Sequence, residues 1–276
     1  MTSKVNALNP VLTHASVSQS LARYGAQGLQ LDVFDSLPST NAYLSQHAQS
    51  APNKNVAAPS PHVCIADWQT NGSGRRGKTW TTGRGNITFS LLVTMRSKPA
   101  ELMGLSLVTG IGVAEVLNRI DNVAVQLKWP NDILFRDAKL CGVLTELVPA
   151  SHDGFTRVVT GIGINYVAPD ITVSNDYRAT SLQEICENTL ARPELIGQVI
   201  VSVLQAYDLF EAQGWSAFTE RWDALDYLKG KQVNVLNGSE QSLVVAKGVD
   251  HTGALLVESN GKTSTVFSGE VSVRVA

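Results

Sequence analysis

The chain has 276 residues, of which 43% are hydrophobic and 17% are charged, with a formal net charge of −2 and a pI near 6.2. This length exceeds that of one typical compact domain, so we expect a large domain followed by a small one. The net charge argues against a general nucleic-acid binder, which needs a surplus of Lys and Arg on one face.

The hydrophobic segments favour a cytoplasmic protein without a membrane span. Runs such as ITFSLLV are far shorter than the apolar stretch that crosses a bilayer. The N-terminal residues MTSKVNALNPVLTHAS lack the uninterrupted apolar region of an export signal. Cys64, Cys141 and Cys186 are widely separated, and we interpret them as buried thiols.

The first predicted elements alternate between helix and strand. Residues 11–24 have helical spacing that Gly25 would end, and LQLDVF at 29–34 is typical of a strand. Ser39 is a candidate cap for a short helix. Residues 50–61 contain three prolines and are predicted to form an exposed loop.

The central part of the chain predicts a sheet with buried helices. Apolar runs at 62–70 and 87–95 indicate two strands, and residues 101–120 predict a buried helix. The runs ILF, KLCGVLTELV and RVVTGIGINYV then indicate three adjacent strands. The pattern at 193–213 predicts a long helix, with proline at its first turn and Gly214 at its end.

The pattern changes near residue 227, where we place a domain boundary. Short, partly alternating segments separated by Asn-Gly, Thr-Gly and Ser-Gly turns follow, which is typical of a small antiparallel barrel. The predicted domains are therefore 1–227 and 228–276.

Residues 72–79, GSGRRGKT, match the phosphate-binding pattern G-x-x-x-x-G-K-[ST]. That pattern requires a helix starting at Lys78, but two further glycines and a β-branched run indicate a loop that enters another strand. We therefore predict a basic loop between strands. Its cations, Arg75, Arg76, Lys78 and Arg84, are suited to an anionic ligand.

Several segments together resemble the biotin–protein ligases, in order and spacing, from about residue 30 to the C-terminus. They are STN (39–41), QTNGSGRRGKTW (69–80), KWPNDI with KLCGVLTE (128–133 and 139–146), TGIGIN (160–165) and GEVSVR (269–274). The resemblance implies an α+β fold: a mixed sheet flanked by helices, like a class II synthetase catalytic domain, with a small C-terminal SH3-like β-barrel.

The resemblance also implies a two-step reaction. ATP with Mg²⁺ activates biotin as biotinyl-5′-adenylate, and a lysine of the biotin carboxyl carrier protein of acetyl-CoA carboxylase then takes the biotin. Joining a carboxylate to an α-phosphate requires charge neutralisation and alignment more than a protein nucleophile. A loop rich in glycine, Arg and Lys supplies suitable groups.

The site residues follow from the same resemblance. Its implied biotin-binding residues are Ser39, Thr40, Asn41, Gln69, Gly72, Ser73, Gly74, Arg75, Lys139, Gly142, Gly161 and Gly163. Its implied ATP-binding residues are Arg75, Arg76, Lys78, Trp80, Lys128, Asn131, Asp132, Lys139, Asn165 and Arg274. Lys139, Arg75 and Asp132 are the predicted catalytic residues, and Asp132 is the candidate Mg²⁺ ligand.

Structural interpretations of these residues remain open. Ser39 could act only as a helix cap, Trp80 could belong to the core, and Asp132 could close an Asx-turn. Arg76 and Lys78 could be solvated charges on a loop. The glycines could serve a flexible hairpin or close packing of strands.

The loop departs from the family pattern G-R-G-R-R-G-R at Ser73 and Lys78. Lysine cannot form the bidentate phosphate contact of arginine, so we predict an altered hold on the adenylate. A second hypothesis is that residues 72–85, with five glycines in fourteen residues, are mobile without ligand.

Rival functions are a lipoate–protein ligase, a P-loop nucleotide hydrolase or kinase, and a non-catalytic biotin-binding module. Some family members carry an N-terminal winged helix-turn-helix of about sixty residues, for which STN at residue 39 leaves no room. We therefore expect no sequence-specific DNA binding. Monomer and homodimer both stay open, because an exposed strand next to the basic loop could pair with a copy of itself.

Overall fold

The computed structural model describes residues 11–50, 60–81, 83–121, 123–149, 154–168, 178–237, 240–268 and 271–276. Most of the predicted loop at 50–61 and the first two residues of GEVSVR lie outside the described residues.

A seven-stranded mixed sheet forms the larger part of the fold, with strand order β1-β2-β3-β7-β6-β5-β4. β1 and β2 are parallel, and the other neighbours are antiparallel. The strands are β1 Gln30–Leu37, β2 His62–Gln69, β3 Ile87–Met95, β4 Gln126–Lys128, β5 Asp132–Phe135, β6 Ala138–Val148 and β7 Thr156–Ile164. The strands that flank the basic loop in the chain, β2 and β3, are both interior, and the edge strands are β1 and β4.

The helices are α1 His14–Arg23, α2 Thr40–Ser50, α3 Leu105–Leu117, α4 Leu182–Ile185, α5 Arg192–Gln213 and α6 Thr219–Leu225. The predicted helix at 101–120 is shorter than expected, because Gly104 separates α3 from a 3-10 turn at Pro99–Leu102. α5 follows its prediction closely and ends at Gly214, whose φ of +68° breaks the helix.

The two faces of the sheet carry separate hydrophobic clusters. Val63 and Leu91 pack in the large core with α3 and α5, whereas their neighbours Cys64 and Leu92 pack in a smaller cluster with Leu44 of α2. Successive strand residues point to opposite faces, so α2 packs on the face opposite to α3 and α5. Its first turn consequently reaches the sheet beside β3 and β7.

α3 and α5 are core helices, although Pro99–Leu117 and Arg192–Gln213 are long and apolar enough to cross a membrane. In the most apolar windows of these segments, 72% and 50% of the residues are buried inside the protein. Helices that are apolar on most sides are typical of a protein interior.

A second, five-stranded antiparallel sheet, which corresponds to the predicted C-terminal barrel, follows with strand order β11-β10-β9-β8-β12. Its strands are β8 Gln232–Asn237, β9 Glu240–Val249, β10 Leu255–Ser259, β11 Lys262–Val266 and β12 Ser272–Val275. The Trp129 indole donates a hydrogen bond of 3.0 Å to the Gly253 carbonyl and thereby links the two sheets. The predicted α+β fold class is confirmed, and the boundary near residue 227 stays a prediction.

Candidate active site

One cavity of about 650 Å³ lies between the large sheet, the basic loop and the C-terminal barrel. Of the predicted site residues, all but Gly72 line it. Gly72 is buried beneath the loop, where an added Cβ would lie 2.4 Å from the Trp80 carbonyl oxygen. The volume is in the range of ligand pockets.

The end of the cavity near α2 is polar and uncharged. Ser39 accepts a hydrogen bond of 3.3 Å from the Ala42 amide, so it both caps α2 and lines the cavity. The Gln69 side-chain oxygen accepts from the Thr40 amide at 2.8 Å. This contact fixes the orientation of Gln69 and directs its amide nitrogen away from Thr40.

Asn41 is held from three sides. Its amide nitrogen donates to Glu146 at 2.6 Å and to the Leu144 carbonyl at 3.3 Å. Its oxygen accepts from the Ser90 hydroxyl at 2.6 Å. Gly161 makes room for this oxygen, because an added Cβ would lie 2.4 Å from it.

Trp80 covers two of the glycines predicted to face biotin. An added Cβ at Gly163 would lie 2.4 to 2.6 Å from the indole ring, and one at Gly142 would lie 2.9 Å from it. The Lys139 ammonium lies over the same ring, 5.3 Å from its centroid. Trp80 is thus a half-buried wall of the cavity, resting on Gly142 and Gly163, which are paired across β6 and β7.

A β-bulge aims Lys139 into the cavity. Ile133 pairs with Cys141 but Leu134 pairs with Lys139, so Leu140 is the extra residue. In a regular strand, residues three apart point to opposite faces. Here the ideal Cβ position of Gly142 is 3.4 Å from the Lys139 ammonium, so both residues lie on one face.

Lys139 forms an ion pair with Asp132, with a distance of 2.5 Å between Nζ and Oδ1. Both side chains are partly buried, with 24% of Lys139 and 14% of Asp132 exposed. Asp132 is the only carboxylate among the described residues that line the cavity. Because an ionised carboxylate has about four lone-pair sites, Asp132 can accept a further cationic partner besides Lys139.

Asn165 clamps the backbone beside Lys139. Its side-chain nitrogen donates to the carbonyl groups of Lys139 and Thr180 at 3.2 and 3.1 Å. The Lys139 amide also donates to the Arg178 carbonyl at 2.8 Å. The predicted nucleotide ligand Asn165 is therefore also a structural residue, and it presents only its side-chain oxygen as a remaining polar atom.

The basic loop folds as a small hairpin. The Trp80 amide donates to the Gly72 carbonyl at 2.8 Å, and the Gly74 amide donates to Lys78 at 2.7 Å. A 3-10 turn at Arg75–Gly77 forms its tip, where Arg76 has a left-handed φ of 57°. No helix begins at Lys78 in the described residues up to β3, so the context required of a P-loop is missing.

Arg75 points inward from this hairpin and bridges both parts of the fold. It donates to the Asn131 side-chain oxygen at 3.3 Å and to the Ser268 carbonyl of the barrel. Burial lowers the pKa of Arg75, an effect that the nearby Asp132 carboxylate opposes. Arg76 and Lys78 are exposed at the mouth of the cavity.

Arg84 is not available for an anionic ligand, which corrects the sequence-based expectation. Its guanidinium forms a bidentate contact with Asp35 at 2.7 and 2.8 Å and lies 3.3 Å from Asp67. It also lies 5.6 Å from the ring centroid of Trp68. Arg84 therefore contacts β1 and β2 near the surface and does not line the cavity.

Other residues of the cavity were not predicted as site residues, although most of them stand within the quoted segments. They are Thr79, Thr81, Phe89, Trp129, Pro130, Val143, Leu144, Ile162, Ala179, Leu236, Val271, Ser272 and Val273. Ser90 and Glu146, which hold Asn41, were missed as well. Glu146 stands in the quoted segment KLCGVLTE, but only the fold brings it to α2.

Comparison with known proteins defines the class. Residues 33–165 match the biotin/lipoate A/B protein ligase family, and residues 229–274 match the biotin protein ligase C-terminal domain. The fold, the cavity and these matches define an enzyme of the biotin and lipoate ligase class.

Individual relatives narrow the class. The chain is 35% identical over 252 residues to the Escherichia coli bifunctional ligase/repressor BirA, covering 90% of this chain and 75% of the relative. It is 31% identical to the Mycobacterium tuberculosis biotin–[acetyl-CoA-carboxylase] ligase, covering 96% of each. The solved Aquifex aeolicus biotin protein ligase in complex with biotin and ATP aligns with a TM-score of 0.73 at 29% identity, over 90% of this chain and 99% of that one. The chain belongs to the biotin protein ligases.

Proposed function

We propose that the cavity binds biotin at its uncharged end and ATP at its cationic end, and joins them there. The observation that carries this is the division of one cavity into two chemical environments. Four neutral polar residues line one end, namely Ser39, Thr40, Asn41 and Gln69. Six basic residues and one acidic residue line the rest: Arg75, Arg76, Lys78, Lys128, Lys139 and Arg274, with Asp132.

The hydrogen-bonding pattern of the uncharged end fits the ureido ring of biotin. The Ser39 hydroxyl accepts from Ala42 and keeps its own proton for a ligand carbonyl. The orientation of Gln69 leaves amide protons for the same purpose. Asn41 has its nitrogen occupied, so its oxygen is the atom that can accept from a ring N–H.

The cationic end fits the reacting groups. Lys139 and Arg75 flank Asp132 at a partly buried position, where a fixed positive charge acts more strongly than in water. We infer that they neutralise the biotin carboxylate and the α-phosphate as these approach. The product of this step is biotinyl-5′-adenylate, with pyrophosphate as the leaving group.

Asp132 fits a role in holding Mg²⁺ with the nucleotide. Among the described residues no group of three or more His, Cys, Asp or Glu side chains lies together, so these residues offer no complete cage. Mg²⁺ typically takes one or two carboxylates together with substrate phosphate oxygens. The ion would offset phosphate charge, while Asp132 supplies the protein ligand.

The second step transfers biotin to a carrier protein. The relative from M. tuberculosis is named for acetyl-CoA carboxylase, and we propose that a lysine of its biotin carboxyl carrier protein is the acceptor. Action in the cytoplasm, the absence of sequence-specific DNA binding, and the choice between monomer and homodimer stay predictions. A specific, salt-resistant gel shift on operator DNA would contradict the expected absence of sequence-specific DNA binding.

Pyrophosphate release from Mg·ATP, with biotin or lipoate as the sole acid, tests the proposal. We expect release with biotin only, followed by a mass gain of one biotin on one lysine of an added carrier domain. Release with lipoate would indicate the lipoate ligase. Tight biotin binding without release would indicate a non-catalytic binding module, and release without any acid would indicate a nucleotide hydrolase.

A further inference from the structure

Glu146 lies outside the cavity but contacts Asn41, the residue that we propose accepts a hydrogen bond from biotin. It is exposed on β6, and its carboxylate accepts the hydrogen bond of 2.6 Å from the Asn41 amide nitrogen. Asn41 itself is 5% exposed and lines the cavity. Glu146 therefore reaches the ligand only through Asn41.

The orientation of the Asn41 amide decides what the cavity offers to a ligand. In one orientation the oxygen lies between Ser90 and Gly161, and in the flipped orientation the nitrogen would lie there. Ser90 cannot choose between them, because a hydroxyl both donates and accepts. The Leu144 carbonyl favours the first orientation, but at 3.3 Å it is a weak contact.

Glu146 determines which of the two orientations the Asn41 amide adopts. An ionised carboxylate only accepts hydrogen bonds, and a charge-assisted bond is roughly twice as strong as a neutral one. Flipping Asn41 would place its oxygen against the Glu146 oxygen at 2.6 Å, which is repulsive. Asn41 must therefore present its oxygen toward Ser90, Gly161 and the cavity.

The same choice sets the direction of a short chain of hydroxyl groups. The Ser90 proton points to Asn41, so the Thr40 hydroxyl supplies the proton in its 2.6 Å contact with Ser90, and it shares that proton with the Gln69 oxygen at 3.1 Å. The Gln69 oxygen is then satisfied by the Thr40 backbone amide. One carboxylate at the protein surface thus fixes the donors and acceptors of three buried side chains.

We propose that Glu146 is a positioning residue that sets the specificity of the biotin pocket, by making Asn41 an acceptor for a ring N–H of the substrate. The proposal rests on the placement of Asn41 in that pocket. It predicts a change in KM for biotin and not in KM for ATP, because Glu146 is remote from the cationic end of the cavity.

The test compares Glu146→Leu, which removes the acceptor, with Glu146→Gln, which retains a carbonyl acceptor of similar size. In the pyrophosphate-release assay we expect Glu146→Leu to raise KM for biotin about tenfold and to leave KM for ATP and kcat within about twofold. Glu146→Gln should recover most of the loss. Glu240→Leu, which changes an exposed strand glutamate of the barrel, is the matched control and should behave as wild type.

Substrate analogues give a second measurement that a general loss of structure would not produce. In two cyclic carbamate analogues of biotin, one or the other ring N–H is replaced by oxygen. Wild type should discriminate against one of them, and Glu146→Leu should lose about tenfold of that discrimination.

Asn41→Ala distinguishes a failure of the positioning role of Glu146 from a failure of the biotin-pocket assignment. If Asn41→Ala raises KM for biotin and Glu146→Leu does not, the positioning role is refuted while the pocket assignment stands. If Asn41→Ala leaves KM for biotin unchanged, both are refuted. A Glu146→Leu effect of equal size on KM for biotin and KM for ATP would also overturn the proposal.

Discussion

Replacing Gly163 with alanine tests how tightly Trp80 is held in the cavity wall. The added Cβ would lie 2.4, 2.5 and 2.6 Å from Cε2, Cζ2 and Nε1 of the indole ring. Since an ordinary contact needs about 3.4 Å or more, the ring or the strand must shift by about 1 Å. A shift of the ring and a shift of the strand have different effects on activity and on stability.

The strand is the less mobile partner. Gly163 is paired with Thr88 on one side and with Gly142 on the other, in the middle of the large sheet. Trp80 is half-buried on a loop, so we expect the ring to move. Its amide is bonded to Gly72, and the shift would be passed to the hairpin that carries Arg75.

A displacement of about 1 Å near reacting groups can cost about 100-fold in rate, so we expect Gly163→Ala to lower kcat/KM for pyrophosphate release by roughly 10- to 100-fold. If the ring could not move, the overpacking would instead cost about 1–3 kcal/mol of unfolding free energy and lower Tm by several degrees. We expect Tm to stay within about 2 °C of wild type.

Gly110→Ala is the matched control. An added Cβ on α3 at Gly110 would lie 3.4 and 3.9 Å from the Leu127 methyl groups, which are ordinary contacts. Alanine is favoured over glycine in a helix by about 0.8–1 kcal/mol, so this variant should unfold at a slightly higher temperature and keep full activity. A Gly163→Ala enzyme with wild-type rate and wild-type Tm would refute the packing of Trp80 on the glycines.

Three further predictions concern the charged residues. Lys139→Met should lower kcat by about 100- to 1,000-fold in the pyrophosphate-release assay, because it removes a charge aimed at the reacting groups and leaves Asp132 without its partner; a loss under tenfold would contradict a catalytic role. Arg84→Ala should leave pyrophosphate release unchanged, and an NMR titration should show the pKa of Asp35 rising, because the Arg84 contact holds that pKa below its ordinary value. Ser73→Arg should slow the escape of the adenylate into solution, measured by chromatography of the released nucleotide, and an unchanged rate of escape would count against the loop's role in retention.

The elements that the sequence predicted well are those determined by local periodicity. α5 shows proline at its first turn, apolar residues at helical spacing and a terminal glycine, and each of these is a property of the segment itself. The α3 segment was harder, because Gly104 lies inside a continuous apolar pattern that does not show where one helix ends and the next begins. The identity of the edge strands depends on pairing across the whole sheet, and local patterns do not contain it.

In the candidate site, too, local motifs could be predicted from the sequence and contacts between distant segments could not. Lys139 and Asp132 could be named from a motif, but the bulge at Leu140 that aims Lys139 could not, since it arises from the pairing of β5 with β6. Arg84 was placed with the ligand-binding cations because it is near them in sequence. The Arg84 guanidinium instead binds Asp35, and that contact joins residues 49 positions apart.

We infer that the barrel contributes to the reaction by excluding water, besides supplying Arg274 to the cavity. Biotinyl-5′-adenylate is a mixed anhydride, and water would destroy it before a carrier lysine arrives. The barrel covers the cavity with Leu236, Val271 and Val273, which offer no group for acid–base chemistry. Among the contacts that hold this cover in place, the Trp129 indole bonds to Gly253, and Arg75 bonds to Ser268. Because Arg75 also lines the cavity and is proposed to neutralise the reacting groups, we expect the hairpin that carries it to hold the barrel over the cavity and stabilise the adenylate at the same time.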